Sequence, residues 1–386
     1  MKTLTIWVLC HWNQPIGQPF VWWLESYTYH FIQSLREYWY KLMIYAHSES
    51  NLWCSFSPYP RLLEASNLQE WLEWESEELA ADIDIKYALE RMERTCDIII
   101  NNTLSKEPIT WQEHSTIPII TTLHINPHYN PYTHGIIDLK IRKKHRRPIV
   151  SISQNSASQR RAFIPDIITI PNGVRLESWE YTTSVNTENS YMARAWRICP
   201  EKWTKDAVQI ARKSWCRLKI AWKIYDRTYF EEHIKPYLSN TIEYIGNLSH
   251  KDLNSFFMNA QAFWFTSTWQ EPFGLVQIEA LASWTPIVAY RSGAANDIVV
   301  PEVWRLVEIW DQSWFIHALE DIPMLSREAC RKHVEKHYSR DGMMKQYIQL
   351  IHTTLWRTYK KKWIKWNVQK LINSRLELMK VPLIQS

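Results

Sequence analysis

Short apolar runs alternate with longer amphipathic stretches along the first half of the chain. The amphipathic stretches 24–38 and 68–94 carry apolar residues at helical spacing. The apolar runs are of strand length and lie at residues 4–10, 42–46, 97–100, 117–122, 148–153 and 166–170. Strands that alternate with helices form parallel sheets with helices packed on their faces. The pattern therefore predicts an α/β fold.

The same alternation returns in the second half of the chain. Strands are expected at residues 191–195, 217–221, 241–245, 261–265, 286–289 and 305–307, with helices between them. The polar stretch 181–189 is typical of a linker, and the tail from residue 339 is typical of long helices. We therefore expect a second α/β domain that is followed by a helical tail.

The composition is that of an ordinary globular protein. Charged residues make up 22% and hydrophobic residues 46% of the 386 positions, which argues against a disordered chain. The net charge of +5 is too small to indicate a nucleic-acid partner by itself. The six cysteines form no C-x-x-C pair, so a reducing cytoplasm is favoured over a disulfide framework or a zinc site. The sequence predicts neither a signal peptide nor a membrane-spanning stretch.

A basic run occupies residues 140–147, and two interpretations of it remain open. It is either the solvated end of a helix, where cations are favourable, or a contact for an acceptor phosphate or an anionic membrane surface.

One stretch, residues 265–300, gathers candidate chemistry at a single point of the predicted sheet. A buried strand ends at Phe265, and the loop after it carries Glu271 to the edge where open α/β sheets bind ligands. Gly274 opens a helix whose N–H groups and positive dipole end favour an anion. Glu279 lies on that helix, and a small-residue turn follows at Gly293. The stretch predicts an anion-binding crevice, unless both carboxylates are merely solvated.

This stretch resembles the donor-site block of retaining glycosyltransferases with the GT-B fold, in glycosyltransferase family four. The matching residues are EPFGL at 271–275, EALA at 279–282 and TPIVA at 285–289, followed by Gly293 and Asp297. The resemblance implies two Rossmann-like domains with parallel sheets that face a central cleft. It also implies transfer of a sugar from a nucleotide-diphosphate donor to an acceptor hydroxyl, with retention at the anomeric carbon.

The resemblance extends to the domain organisation. The residues PNGV at 171–174 are similar to the family's interdomain turn, and in that fold the last helix crosses back to the first domain. We therefore expect an acceptor-side Rossmann-like domain at 1–172, a nucleotide-sugar donor domain at 173–345, and C-terminal helices at 346–386 that cross back.

The resemblance also implies roles for individual residues. By it, Glu271 would hold hydroxyls of the donor sugar and Glu279 would hold the ribose. Arg197 and Lys202 match a family element whose cations hold the donor diphosphate, a task suited to an arginine fork and a lysine point charge. His124 resembles the histidine that faces the reacting sugar and the acceptor, although a lone histidine is often structural. Further donor-binding positions are Gly17, Gly246, Asn247, Phe273, Gly274 and Leu275.

The implied partners are a nucleotide sugar and an acceptor, which is a sugar, a lipid-linked sugar or a small molecule. Neither a metal nor another cofactor is expected, because the two cations and the helix end at Gly274 can stabilise the leaving diphosphate. We expect a cytoplasmic protein without a nucleic-acid partner, and peripheral contact with an anionic membrane stays open. A catalytically inactive nucleotide-sugar-binding or scaffold protein is the alternative. An oxidoreductase is disfavoured because no G-x-G-x-x-G follows the first strand.

Tryptophan stands where glycine is expected. The chain has 7 glycines and 23 tryptophans, whereas average usage would give roughly 27 glycines. Trp39, Trp215 and Trp284 each lie between a predicted helix and a strand, where a left-handed turn and glycine are preferred. Family glycines coincide with Trp196, Trp203, Trp222 and Trp304. We hypothesise that UGA codons for glycine have been translated as tryptophan, whereas Trp269 is expected to be genuine. Genuine tryptophans would favour the inactive alternative.

Overall fold

A computed structural model of the chain describes residues 3–12, 14–17, 23–52, 56–58, 70–127, 148–185, 190–298, 300–301 and 303–363. The basic run at 140–147 and the end of the predicted linker at 186–189 lie outside these residues. The chain divides into two compact units. The first falls within Met1–Ile152, Ala157–Ile170 and Met344–Ser386, and the second within Ser153–Ser156 and Pro171–Met343.

The first unit is built on a seven-stranded parallel sheet in the order β3-β2-β1-β4-β5-β6-β7. Its strands are β1 Thr5–Cys10, β2 Lys41–Ala46, β3 Phe56–Pro58, β4 Ile98–Asn102, β5 Ile119–Leu123, β6 Ile149–Ser151 and β7 Ile168–Thr169. β4 and β5 are buried along their whole length, as expected of strands covered on both faces. Val8 of β1 pairs with Ile44 on one side and Ile100 on the other.

Helices pack on this sheet, and the last described helix is held to it by hydroxyl groups. The helices are Trp23–Arg36, Glu70–Glu93, Glu107–Trp111, Gln154–Ser158, which straddles the two units, and Arg340–Trp363. The hydroxyl of Tyr347 lies 2.9 Å from Thr122 Oγ1 and accepts a hydrogen bond of 3.1 Å from the hydroxyl of Tyr27. The part of the last helix from residue 344 therefore belongs to the core of the first unit.

The second unit contains a six-stranded parallel sheet in the order β10-β9-β8-β11-β12-β13. Its strands are β8 Tyr191–Ala195, β9 Leu218–Ala221, β10 Ile242–Gly246, β11 Ala260–Phe265, β12 Ile287–Tyr290 and β13 Trp304–Val307. Its helices are Thr204–Ser214, Arg227–His233, His250–Met258, Leu275–Ala282, Ala295–Ile298, Gln312–Glu320 and Arg327–His337. One core cluster joins both sheet and helices, with Ile220, Trp264 and Phe315 almost fully buried.

All the predicted strands are confirmed, with ends that shift by one or two residues. The three-residue β3 was missed because so short a run, which ends in Pro58, carries no recognisable alternation. None of the described helices combines the length and the apolar character that crossing a membrane would need.

Candidate functional site

The candidate site of the second unit lies where the order of strands in the sheet reverses. After β8 the chain adds β9 and β10 on one side, and it then crosses to place β11 on the other side of β8. The carboxyl ends of β8 and β11 therefore flank a switch point, where open parallel sheets bind ligands. The loop after β8 carries Arg197 and Lys202, and the loop after β11 carries Glu271.

Lys202 and Glu271 form a buried ion pair at this point. The short 3-10 turn Pro200–Lys202 brings the lysine in from β8, and its Nζ donates to Oε1 of Glu271. The two residues are 1% and 6% exposed. The structure thus brings together two predicted site residues that lie far apart in the sequence.

A glycine turn holds the backbone of Glu271. The N–H of Ala294 donates to the Glu271 carbonyl over 2.9 Å, and the N–H of Gly293 donates to the side chain of Gln270 over 3.1 Å. Gly293 has a φ of 53°, and a Cβ there would lie 2.3 Å from the backbone nitrogen of Glu271 and 2.5 Å from its oxygen. No other residue type fits at this position without displacing the Glu271 loop.

The helix Leu275–Ala282 begins directly after this loop. Gly274 precedes it in the left-handed conformation, with φ 83° and ψ 70°, and Phe273 is buried. Leu275 and Glu279 are half-buried. Desolvation raises the pKa of the Glu279 carboxyl to about 7, so this group titrates near neutrality.

The other predicted donor-site residues of the second unit follow β8 and β10. The guanidinium of Arg197 lies 5.2 Å from the ring centre of Tyr225 and is half-buried. Gly246 ends β10 with a φ of 82°, and Asn247 after it is exposed. The structure brings only Lys202 and Glu271 into a described side-chain contact. Gly17, the remaining predicted position, lies in the first unit beside the backbone of Asn51.

Aromatic rings cover the ion pair. The Lys202 Nζ lies 5.5 Å from the ring centre of Trp196 and 5.4 Å from that of Trp269. Trp196 also packs edge-on against Phe265, with ring centres 5.7 Å apart. These rings leave Lys202 almost without solvent contact, so a tryptophan at position 196 closes the approach to the ammonium group.

Every non-glycine residue with a positive φ in the described part of the chain is a tryptophan. The six are Trp39 (60°), Trp203 (50°), Trp215 (56°), Trp222 (119°), Trp284 (66°) and Trp310 (73°). The left-handed turns predicted at three of them, after helices, are confirmed. A bulky residue in this region is an outlier, whereas glycine adopts it freely. Trp196 and Trp304 do not have a positive φ, and Trp310 was missed because no predicted helix ends there.

The first unit has its own buried polar cluster, at the carboxyl ends of β1, β4 and β5. His124 follows β5, is fully buried, and places Nε2 3.1 Å from Oδ1 of Asn102 at the end of β4. Its ring meets that of Tyr27 edge-on at 4.7 Å. His11, which follows β1, lies 2.6 Å from Glu25. Desolvation, and then the charge of His11, lower the pKa of His124 to about 3, so His124 is neutral.

Sequence reasoning found His124 but missed Asn102, His11 and Glu25. The signal for two of them was present, since Asn102 and His11 stand at the ends of apolar strand runs. Glu25 lies within a helix and carried no comparable signal, because its pairing depends on how the helix packs.

Comparisons with known proteins agree with this architecture. Residues 197–322 match the family described as Glycosyl transferases group 1. No curated protein matches the chain. Among solved structures, sucrose-phosphate synthase from Thermosynechococcus elongatus superposes with a TM-score of 0.73 at 16% identity, covering 91% of this chain and 98% of that chain. The lipopolysaccharide outer core galactosyltransferase WaaB gives 0.69 at 12% identity, covering 91% and 99%.

A third similar structure, HepE from Anabaena in complex with UDP and glucose, gives a TM-score of 0.67 at 14% identity and covers 91% of this chain and 100% of that chain. Identities this low indicate the fold alone. The chain therefore has the GT-B fold, and its second unit carries a match to the glycosyl transferases group 1 family.

Proposed function

We propose that this protein is a glycosyltransferase that moves a sugar from a nucleoside-diphosphate donor to an acceptor hydroxyl, with retention at the anomeric carbon. The observation that carries the proposal is the Lys202–Glu271 pair at the switch point of the sheet, since both residues lie within the stretch 197–322 that matches group 1 glycosyl transferases. A cation beside a carboxylate at such a point suits a ligand with a diphosphate at one end and hydroxyls at the other.

The strand order supports a position for each part of the donor. Gly246 is the last residue of β10, which lies two strands from β8, and Asn247 follows it. Two strand spacings are roughly 10 Å, a span that a nucleoside diphosphate can bridge. We propose that the base lies by Gly246, that the ribose is bound by Glu279, and that the diphosphate is bound by Arg197 and Lys202. The helix that begins at Leu275 directs its positive end toward the same ligand.

For the chemical step we propose a displacement on one face of the sugar. The bond from the anomeric carbon to the diphosphate oxygen breaks as the acceptor oxygen bonds to that carbon, and the acceptor proton moves to the leaving phosphate. The contribution of the protein is electrostatic, because Lys202 and Arg197 stabilise the charge on the leaving diphosphate. Glu271, which already accepts a hydrogen bond from Lys202, is proposed to orient the sugar hydroxyls.

We further propose that glycine is the natural residue at the six left-handed tryptophan positions and at position 196. Trp39 and Trp215 support this, because they are 83% and 91% exposed and their indoles gain no packing that offsets a strained backbone. Glycine at 196 would remove one of the two rings that cover Lys202. Sequencing the gene and measuring peptide masses of the natural protein test the proposal, since UGG codons or tryptophan masses at these positions would contradict it.

The second candidate function is a nucleotide-sugar-binding or scaffold protein without catalysis. The observation that favours it is the cover of Trp196 and Trp269 over the Lys202 ammonium group. It becomes the better account only if Trp196 proves to be the natural residue.

A donor screen by thermal shift tests the proposed function. The chain with glycine at the seven positions, and the chain with tryptophan at them, are each mixed with UDP-, GDP- and ADP-sugars. A ligand that binds only the native state raises the melting temperature, by an amount equivalent to about 2.7 kcal/mol at a hundred times Kd. We expect one base class to stabilise the glycine form. Absence of any shift would contradict the donor site.

Two substitutions separate the proposed roles of the carboxylates. Glu279→Ala should weaken binding of the free nucleoside diphosphate and of the nucleotide sugar together, because both contain the ribose. Glu271→Ala should impair sugar transfer and leave diphosphate affinity close to that of the wild type. Equal loss of diphosphate affinity in both variants would contradict this division.

A further inference from the structure

Arg194 is a buried cation in a strand that should be apolar. It lies within β8, the strand beside the switch point, where it pairs with Ile220 of β9. Its flanking residues are Ala193 and Ala195, and it is 1% exposed. The family match begins at residue 197, after this arginine, so the match assigns it no role.

The guanidinium of Arg194 holds the chain segment that carries Lys202. Its Nη2 donates to the backbone carbonyl of Lys202 over 2.7 Å and lies 3.5 Å from Oγ1 of Thr204. Arg194 therefore ties the turn after β8 and the start of the next helix back to the strand. It fixes the backbone from which the Lys202 side chain reaches Glu271.

The other nitrogen atoms of the Arg194 guanidinium make no hydrogen bond to the described residues. Its Nε and Nη1 are buried, and no hydrogen-bond partner for them occurs in the described part of the chain. Burial lowers the pKa of Arg194 to about 10, against opposing contributions from Tyr229, Cys199 and Glu271, so the group is still a cation at neutral pH. A buried cation with unused donors is costly for the fold, and an apolar residue would stabilise a central strand more.

The charges at the switch point are therefore unbalanced. Arg194 and Lys202 are cations, and Glu271 is the one carboxylate paired with them among the described contacts. Together, the side chains of Arg194, Lys202 and Glu271 carry a net positive charge, which acts strongly because little water screens it. An anion that enters this point would balance the charge.

We propose that Arg194 is a positioning residue for the donor diphosphate, holding the Lys202 backbone while the lysine side chain turns from Glu271 to the phosphate. This inference rests on the proposed function and deepens it. The Arg194 charge would keep Glu271 compensated after Lys202 leaves it. The bound anion would contact Lys202, and Arg194 would act through that contact.

The test compares nucleoside diphosphates with monophosphates by titration calorimetry. The protein is used in the form, tryptophan or glycine, that peptide masses give for the natural chain. UDP, GDP and ADP are each compared with UMP, GMP and AMP, and the pair that the wild type binds tightest is kept. The measured quantity is the ratio of the monophosphate Kd to the diphosphate Kd, which reports the contribution of the second phosphate.

We expect Arg194→Met to lower this ratio about tenfold, which corresponds to the loss of one charge-assisted contact. Arg194→Lys should recover part of the loss, because it keeps the charge. Arg327→Met is the matched control, since Arg327 is another arginine with a pKa lowered to about 10 that donates to backbone carbonyls, those of Ala260 and Met258. It should lower stability and leave the ratio unchanged.

The outcomes separate the inference from the function on which it rests. If the wild type binds no diphosphate, the donor site and the inference both fail. If it binds and Arg194→Met keeps the wild-type ratio, only the inference is overturned. If Arg194→Met does not fold, Arg194→Gln is compared with Arg194→Lys, since both keep a donor for the Lys202 carbonyl and only lysine keeps the charge. Equal, wild-type ratios in both would overturn the inference.

Discussion

Replacing Trp215 by glycine should stabilise the second unit. Trp215 follows the helix Thr204–Ser214 with φ 56° and ψ 21°, and it is 91% exposed. A non-glycine residue in the left-handed region costs roughly 1–2 kcal/mol. Less than a tenth of the Trp215 side-chain surface is buried, so removing the indole costs about 0.5 kcal/mol or less in lost burial. Glycine also has more freedom in the unfolded chain, which reduces the gain by roughly 0.4–1 kcal/mol. The net gain is therefore about 0.5 kcal/mol.

Trp314→Gly is the matched control in the same unit. Trp314 is 62% exposed and lies in the helix Gln312–Glu320, where its N–H donates to the capping side chain of Asp311. The substitution removes the same side chain from a helical backbone. Glycine there should destabilise the unit by about 2–3 kcal/mol, because the helix propensity and the burial of roughly two-fifths of the indole are both lost. The two variants should therefore change stability in opposite directions.

Urea unfolding followed by far-ultraviolet circular dichroism measures the difference. Because a two-unit chain need not unfold in one step, the transition that shifts in both variants is the one compared. A melting curve should show the same order, at about 2–4 °C for each kcal/mol in a domain of this size. If Trp215→Gly destabilises the protein instead, the left-handed backbone accommodates tryptophan without strain, and the argument for glycine is wrong.

Three further predictions concern the proposed donor site. Lys202→Ala should reduce turnover roughly a hundredfold or more, whereas EDTA should leave wild-type turnover intact. If EDTA abolishes activity and magnesium restores it, the metal-free account is wrong. Ribose hydroxyls favour the ionised Glu279, whose pKa is about 7, so affinity for the nucleoside diphosphate should fall as pH drops through that value. Glu279→Gln should remove this pH dependence. Only the dependence caused by ionisation of the ligand phosphate, near roughly pH 6, should remain. Gly293→Ala should reduce turnover roughly a hundredfold because its Cβ displaces Glu271, whereas Gly342→Ala, which meets only the Ser339 side chain, should not.

Local pattern was sufficient for most elements of this fold, the short strand β3 excepted. The strand Tyr191–Ala195 and the helix Leu275–Ala282 were predicted from short apolar runs and from the Gly274 start, since burial on both faces of a parallel sheet leaves a local signature. The left-handed turns at Trp39, Trp215 and Trp284 were likewise predicted, because a helix that ends before a strand must turn within one or two residues.

The tertiary structure alone decided which side chains meet. Lys202 reaches Glu271 only because β8 lies beside β11, an adjacency that strand order sets and local pattern does not record. The same is true of Gly293, whose missing Cβ makes room for the backbone of the Glu271 loop. Arg194 is the one charged residue of the strand Tyr191–Ala195, and its bond to the Lys202 carbonyl became visible only once the turn had folded back onto the strand. Contacts of this kind join segments distant in the chain, so their energies depend on packing that no local run of residues encodes.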